Sequence, residues 1–224
     1  LMGYTGGGEI YDLDDDMPII EVKWLTSGNG WDWEALVPEN ETVHIGGGSE
    51  TDWAFAPDGA VIAVMRNEAG DADGWGSKIC RGEPDALADW TCAADPKKYD
   101  SPLVFAHADR IWLIARRNVT ETGDYDLQMR DLDHREQTTY YSLDYWQQPK
   151  RCSLWEVDAH TLTVEWVLDL PSRGDTCFAS ILPAGDGRFT VYNYSSDPEG
   201  DDLSWLSGQT QPTQIYKQDL VFPF

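Results

Sequence analysis

Three stretches of this chain repeat one plan. "ETDWAFAPDGAVIAVMRN", "YDSPLVFAHADRIWLIARRN" and "GDTCFASILPAGDGRFTVYNYSS" each run from an acid through an apolar strand, a polar turn and a second apolar strand to a polar residue. The turns are Pro57-Asp58-Gly59, Ala108-Asp109 and Gly185-Asp186-Gly187, and the flanks are rich in the β-branched and aromatic residues that fit a pleated surface. A hairpin plan that recurs along a chain predicts an array of like units.

Second hairpins of another kind lie between these: "IIEVKWLTSGNGWDWEAL", "GSKICRGEPDALADWTCA" and "CSLWEVDAHTLTVEWVLDL". Each is expected to carry a Trp (Trp33, Trp90, Trp166) in its closing strand, where the ring wedges between sheets. One hairpin of each kind makes a four-stranded antiparallel sheet of about 45 to 75 residues, the unit of a β-propeller. The predicted fold is therefore all-β, a single propeller domain over 1–224 with about three and a half blades of a five- or six-bladed ring. The stretch at about 119–150 breaks the period and reads as an insertion, with "YYSLDYW" as an extra strand. "TQIYKQDLVF" supplies a strand with no evident partner, which leaves ring closure to an N-terminal segment before Leu1 or to a second copy of the chain.

In a propeller the start of a blade's first strand and the end of its second lie on one face, because neighbouring strands are antiparallel. That geometry gathers Glu50, Asp52 and Arg66 from one blade, Asp100, Arg116 and Arg117 from the next, and Asp175 and Tyr194 from a third. Paired carboxylates suit glycosidic bond cleavage, and arginines suit bidentate recognition of a carboxylate. Charged strand ends are also ordinary turn chemistry, and their arginines can serve only to neutralise them.

The residues carry a resemblance. "SETDWAFAPDGAVIAVMRN" resembles the sialidase (neuraminidase) superfamily pattern of a Glu, an apolar strand, an Asp-Gly turn and an Arg at the strand end. "SGNGWDWE" is similar to a degenerate Asp-box with Asn29 in place of the Asp, and "RCSLWEVDAHTLTVEW" with "GDTCFASILPAGDGRFTVYNY" is similar to the segment of the family's third arginine and catalytic tyrosine. Together these cover most of residues 20 to 196. The resemblance implies that Glu50 activates the nucleophile, Arg66 is the second arginine of the carboxylate-binding set, and Arg151, in competition with Arg117, is the third. The chain departs from the family at Phe178, which stands where the nucleophilic tyrosine is expected and has no hydroxyl. The family's first arginine and acid/base aspartate belong to an opening blade outside these residues. "YDSPLVFAHADRIWLIARRN" also resembles the inner strands of five-bladed glycoside hydrolases such as arabinanases, which implies Asp52, Asp100 and Asp175 as the carboxylates from three blades, with Glu50 as the one glutamate on offer.

Two functions follow as expectations. One is an exo-glycosidase in which Glu50, Asp52, Asp100 and Asp175 are acid, base or supporting carboxylates while Arg66 and Arg117 grip an acidic sugar. The other is a propeller without catalysis that binds glycan or serves an extracellular assembly. Of eleven Trp, Trp75, Trp146 and Trp205 lie among loop residues and are the expected ligand platform.

Charge and cysteines bound the setting. Forty acids against sixteen bases give a net charge of -24, which disfavours nucleic acid and anionic membrane as partners. No apolar run is long enough to span a bilayer. Sequons at Asn40, Asn118 and Asn193 and an even cysteine count point to a secreted glycoprotein. Cys80 and Cys92 bracket one hairpin and Cys152 and Cys177 another, which suits two local disulfides or, alternatively, four buried thiols. No metal-ligand spacing or cofactor fingerprint is present; calcium is the one ion considered, at "DLDDD", "GDADG" and "DPEGDD".

Overall fold

In a computed structural model of the chain, residues 2–6, 20–39 and 41–223 are described, the first five as backbone alone. Four antiparallel sheets follow one another along the sequence. The first holds β1 (Met2–Gly6), β2 (Ile20–Thr26), β3 (Glu34–Ala35) and β4 (Thr42–Gly46), with β2 pairing to β1 on one edge and to β4 and then β3 on the other. The second is β5 (Thr51–Phe55), β6 (Val61–Asp71), β7 (Gly74–Glu83) and β8 (Ala86–Asp95) in sequential order. The third runs β9 (Asp100–His107), β10 (Arg110–Asn118), then helix α1 (His134–Gln147), then β11 (Lys150–Val157) and β12 (Val164–Leu170). The fourth is β13 (Ser180–Gly185) and β14 (Arg188–Ser196), then helix α2 (Trp205–Gln209) and β15 (Thr213–Val221). Three of these sheets have four strands and the last has three, and they are the blade-like units of a β-propeller.

Apolar patterning explains how the sheets stack. In β6 the run Val61-Ile62-Ala63-Val64-Met65 is wholly buried, and alternation divides it between two neighbours. Val61, Ala63 and Met65 pack on Val22, Trp24 and Val43 of the first sheet, whereas Ile62 and Val64 pack on Leu113, Ala115 and Trp155 of the third. β10 is divided likewise: Ile111, Leu113 and Ala115 face the second sheet, and Trp112 and Ile114 face Val191, Leu220 and Phe222 of the fourth sheet and the residue that follows it. By contrast β2 reads Ile-Glu-Val-Lys-Trp with only the apolar set buried, so the first sheet is covered on one face.

The structure corrects four expectations about elements. The segment at 119–150 contains a helix, not an extra strand. Asp133 and Glu136 form a reciprocal capping box at its start, and its buried face is Gln137, Thr138, Tyr141 and Tyr145. Those positions repeat at helical spacing but mix polar and aromatic residues, so no apolar period was visible in the sequence. β15 has a partner: it pairs with β14 along nine residues, from Arg188 with Val221 to Ser196 with Thr213. The α2 insertion, in place of a tight turn, had hidden that hairpin. Trp33 lies just before the two-residue β3 and is 43% exposed, so it does not wedge between sheets. Trp166 on the outer strand β12 is 52% exposed, whereas Trp90 packs beside Trp24 at a centroid distance of 6.0 Å.

Cys80 is joined to Cys92 across β7 and β8, and Cys152 of β11 to Cys177 in the segment before β13. Among the described residues, no helix is long and apolar enough to cross a membrane.

Candidate functional site

Antiparallel order places the starts of β5, β9 and β13 and the ends of β6, β10 and β14 on one face, together with the connections that carry α1 and α2. Gly47 lets the β4–β5 turn reach that face closely, since a Cβ there would lie 2.2 Å from the Gly70 carbonyl oxygen. The Ser49 N–H then donates to the Arg66 carbonyl at 2.8 Å, and this sets Glu50 beside the Arg66 side chain.

Asp100 is the centre. It is 1% exposed and accepts from the Tyr145 hydroxyl at 2.6 Å and from Arg116 Nη1 at 3.0 Å; Arg66 Nη1 lies 3.5 Å and Lys98 Nζ 3.6 Å from its other oxygen. Arg66 also reaches Glu50 at 3.3 Å and Glu68 at 3.6 Å, and Lys98 pairs directly with Glu68. Arg116 extends the chain of bonds to the fourth sheet: its Nε donates to the Thr176 carbonyl at 2.6 Å and its Nη2 to the Tyr194 hydroxyl at 3.1 Å, which itself donates to Asp175 at 3.0 Å. One continuous network thus links Glu50, Arg66, Asp100, Arg116, Tyr194 and Asp175 across three sheets.

Burial pushes the Asp100 carboxyl up, but Lys98, Arg116 and Arg66 together outweigh it and hold the group well below the usual carboxylate range. Glu68 follows the same balance: burial raises it, Lys98 and Arg66 oppose, and the result is a lowered value. Both remain anions near neutral pH. Burial raises the Tyr145 hydroxyl, with the Asp100 charge adding to it, and burial raises that of Tyr194 as well. Beneath α1, Lys150 Nζ lies within hydrogen-bond reach of Asn118 Oδ1 at 3.0 Å, of the Gln148 carbonyl at 2.8 Å and of the Tyr145 carbonyl, so its amino group ties the C-terminal end of the helix to β10. Burial, with Arg116 nearby, pushes that ammonium down to about 6.

Between this floor and the two helices is a cavity of about 520 Å³, lined on one side by Arg66, Glu68, Lys98, Asp100 and Arg116 and on the other by Leu143, Tyr145, Trp146 and Trp205. Its size falls within the roughly 300–1,000 Å³ of small-molecule sites. The Trp146 and Trp205 rings lie 6.0 Å apart at an interplanar angle of 31°.

The remaining sequence-predicted residues lie elsewhere. Asp52 of β5 accepts from the Val104 N–H at 2.7 Å, while Glu50, just before that strand, accepts from the Ser101 N–H at 2.8 Å; both acids clip the second sheet to β9 of the third. Burial raises the Asp52 carboxyl and that N–H opposes it. Arg117 alternates away from Arg116 and forms a bidentate pair with Asp169 at 2.9 and 2.7 Å, with its guanidinium over Trp166. Arg151 binds Asp202 at 2.7 Å and the Ser172 carbonyl at 2.6 Å. Phe178 is 66% exposed. Trp75 is not a platform: it is 6% exposed and packs against Tyr141 and His134 under α1.

Asn118 and Asn193 turn their amides inward. The Asn118 Nδ2 donates to the Asp124 carbonyl and the Asn193 Nδ2 to Thr176, and both residues are buried. A glycan on either nitrogen has no room in this fold, and mass spectrometry of the protein expressed in a glycosylating host is expected to find both asparagines unmodified. Asn40 and "DLDDD" lie outside the described residues. In "GDADG" the Lys78 ammonium sits 2.8 Å from Asp71 and 2.7 Å from Asp73, where a cation would lie, and in "DPEGDD" Asp202 pairs with Arg151. No cluster of three or more His, Cys, Asp or Glu suited to a metal occurs among the described residues.

Glu68, Lys98, Tyr145 and Lys150 were not anticipated. Period-two reading could have found the first two, since Glu68 shares a strand face with Arg66, and Lys98 lies two residues before Asp100. Tyr145 and Lys150 carry no such signal, because they depend on a helix.

No protein-family model matches the chain, and no curated protein matches it. Solved structures of similar shape include the phage phi92 endosialidase, at 12% identity and a TM-score of 0.53 over 92% of this chain and 32% of that one. Others are YjhT, at 13% identity and 0.48 over 96% and 64%, and the Penicillium chrysogenum alpha-L-arabinanase complexed with arabinobiose, at 12% and 0.47 over 77% and 46%. The chain spans about a third of the length of the endosialidase, and what the two share is the β-propeller fold.

Proposed function

We propose that this chain is a secreted, single-domain propeller that binds carbohydrate in the cavity between the charged floor and helices α1 and α2. One observation carries the reading: a floor of alternating guanidinium, ammonium and carboxylate groups faces a wall with two tryptophans across about 520 Å³. A sugar ring needs both, hydrogen-bond partners for its hydroxyls and an aromatic surface for its C–H face. The likeness of fold to an endosialidase, a carbohydrate-directed protein by its name, supports the reading by analogy. The disulfides support an oxidising compartment. Both carboxylates that line the cavity are held as anions, which suits acceptance of hydrogen bonds and does not suit proton donation.

Titration calorimetry against a panel of neutral and acidic oligosaccharides is expected to find a binder. Trp205→Ala and Trp146→Ala should each weaken it about tenfold, in line with the roughly 0.5–1.5 kcal/mol of an aromatic contact beyond its burial. Silence across the panel would reject a sugar site.

Glycoside hydrolysis is the second reading, favoured by Glu50, whose carboxylate is partly exposed and 3.3 Å from Arg66. Release of sugar that is lost in Glu50→Gln would establish it; binding without turnover would leave the first reading alone.

A further inference from the structure

We infer that Arg151 and Arg173 are positioning residues for the cavity: neither lines it, and both hold the acidic segment at 197–204 that delivers Trp205 to its wall. The inference rests on the sugar-site reading above and deepens it. The segment follows β14 and reads "DPEGDDLS". Asp197 and residues 199–202 are exposed, so apolar burial does little to fix their course. Four acids crowd it, Asp197, Glu199, Asp201 and Asp202, and their mutual repulsion opposes a close-packed course.

The last residues of the segment pair with the backbone that follows α1. The Lys150 N–H donates to the Leu203 carbonyl at 3.2 Å and the Trp205 N–H to the Gln148 carbonyl at 3.3 Å, which lays the start of α2 beside the end of α1. There the Trp205 ring meets that of Trp146.

The two arginines hold the rest. Arg173 donates from Nη1 to the Asp201 carbonyl at 2.6 Å and from Nε to the Asp197 carbonyl, while its own backbone N–H donates to the buried Ser195 Oγ at 2.9 Å. Gly200 leaves room for the guanidinium, with φ at +99° and a would-be Cβ 3.1 Å from Nη1. Arg151 donates from Nε to the Asp202 carboxylate at 2.7 Å and from Nη1 to the Ser172 carbonyl at 2.6 Å. Ser172 is itself fixed, since it is buried and accepts from the Cys152 N–H at 2.8 Å. A guanidinium fork meets two acceptors at once, so each arginine ties the segment to buried backbone. A tryptophan on a loose segment would lose conformational freedom when a sugar arrives, and affinity would fall. The arginines therefore act through Trp205 and not on the sugar.

The full chain labelled with 5-fluorotryptophan tests the positioning without any sugar. In fluorine NMR spectra the Trp205 resonance is assigned by its absence from Trp205→Phe. Arg151→Gln, Arg173→Gln and Asp202→Asn are each expected to shift it toward that of free 5-fluorotryptophan, with the urea midpoint little changed because the Arg151 and Asp202 side chains are partly exposed. Asp202→Asn breaks the Arg151 bond from its more exposed end, and decides the matter for Arg151 if the arginine variant does not fold. A resonance unmoved in a folded variant overturns the role of the arginine concerned. Calorimetry against the oligosaccharide panel then asks whether the arginines act through Trp205. Arg151→Gln should weaken a panel sugar about tenfold, as Trp205→Ala does, and the two combined should bind no more weakly than Trp205→Ala alone. Additive losses, about a hundredfold in the double variant, overturn the inference as well. A panel with no binder withdraws the sugar reading and leaves the fluorine spectra to decide the positioning.

Discussion

Asp100→Asn is expected to lower the unfolding free energy by about 3–5 kcal/mol, the usual cost of removing one partner from a buried charge network. The substitution keeps the shape of the side chain and leaves Arg66 with Glu50 and Glu68, Lys98 with Glu68, and Arg116 without the carboxylate it pairs with. Arg116 and Lys98 are 11% and 3% exposed at the side chain, so water does little to compensate them. The pH dependence separates this account from a simple loss of packing. The folded carboxyl lies below its unfolded value near about 3.9, so its contribution is complete above that value and is lost as pH falls through the folded one. The gap between wild type and variant in urea denaturation should therefore be full at pH 7 and shrink below pH about 4. A gap that stays constant down to acid pH would show that charge at Asp100 is not what holds the floor together.

Removal of the Cys152–Cys177 disulfide by paired alanine substitution should cost roughly 3–4 kcal/mol, against roughly 3 for Cys80–Cys92, on the chain-entropy account of loop length. The sequence separations are 25 and 12 residues. Position adds to the difference. Cys80 and Cys92 are direct partners in the β7–β8 ladder and would stay adjacent as thiols. Cys177 sits in a connecting segment whose neighbour Thr176 supplies the carbonyl that Arg116 binds, so the bond also fixes one wall of the network to β11. Peptide mapping without reduction should recover both pairings. Equal and small losses of stability in the two variants would show that packing on Ile114, Leu154 and Val191 is enough to hold the segment.

Much of the hairpin array was legible because period-two alternation and turn residues are local properties. The continuous apolar runs of β6 and β10 even announced burial on both faces. The insertion was not legible. Tyr141 and Tyr145 look like strand formers, and their helical spacing is masked by Gln137 and Thr138, which are buried for hydrogen bonding with Arg130 and Trp75. At the site, the antiparallel order gathered Glu50, Arg66, Asp100, Arg116, Asp175 and Tyr194, as strand ends must when their sheets share one axis. Which way a charge points is another matter. Arg116 enters the network and Arg117 leaves it because adjacent residues on a strand face opposite sides.

The sequence by itself determined that successive hairpins would stack as sheets and bring their charged ends to one face, since side-chain alternation and turn chemistry need no distant partner. Only the tertiary structure decided what that face became. Helix α1 folds over it through Tyr145 and Lys150, and the convergence of Arg66, Lys98 and Arg116 on Asp100 exists only where β6, β9, β10 and the segment before β9 meet. That convergence is a property of distances between strands far apart in the chain, and no local pattern encodes it.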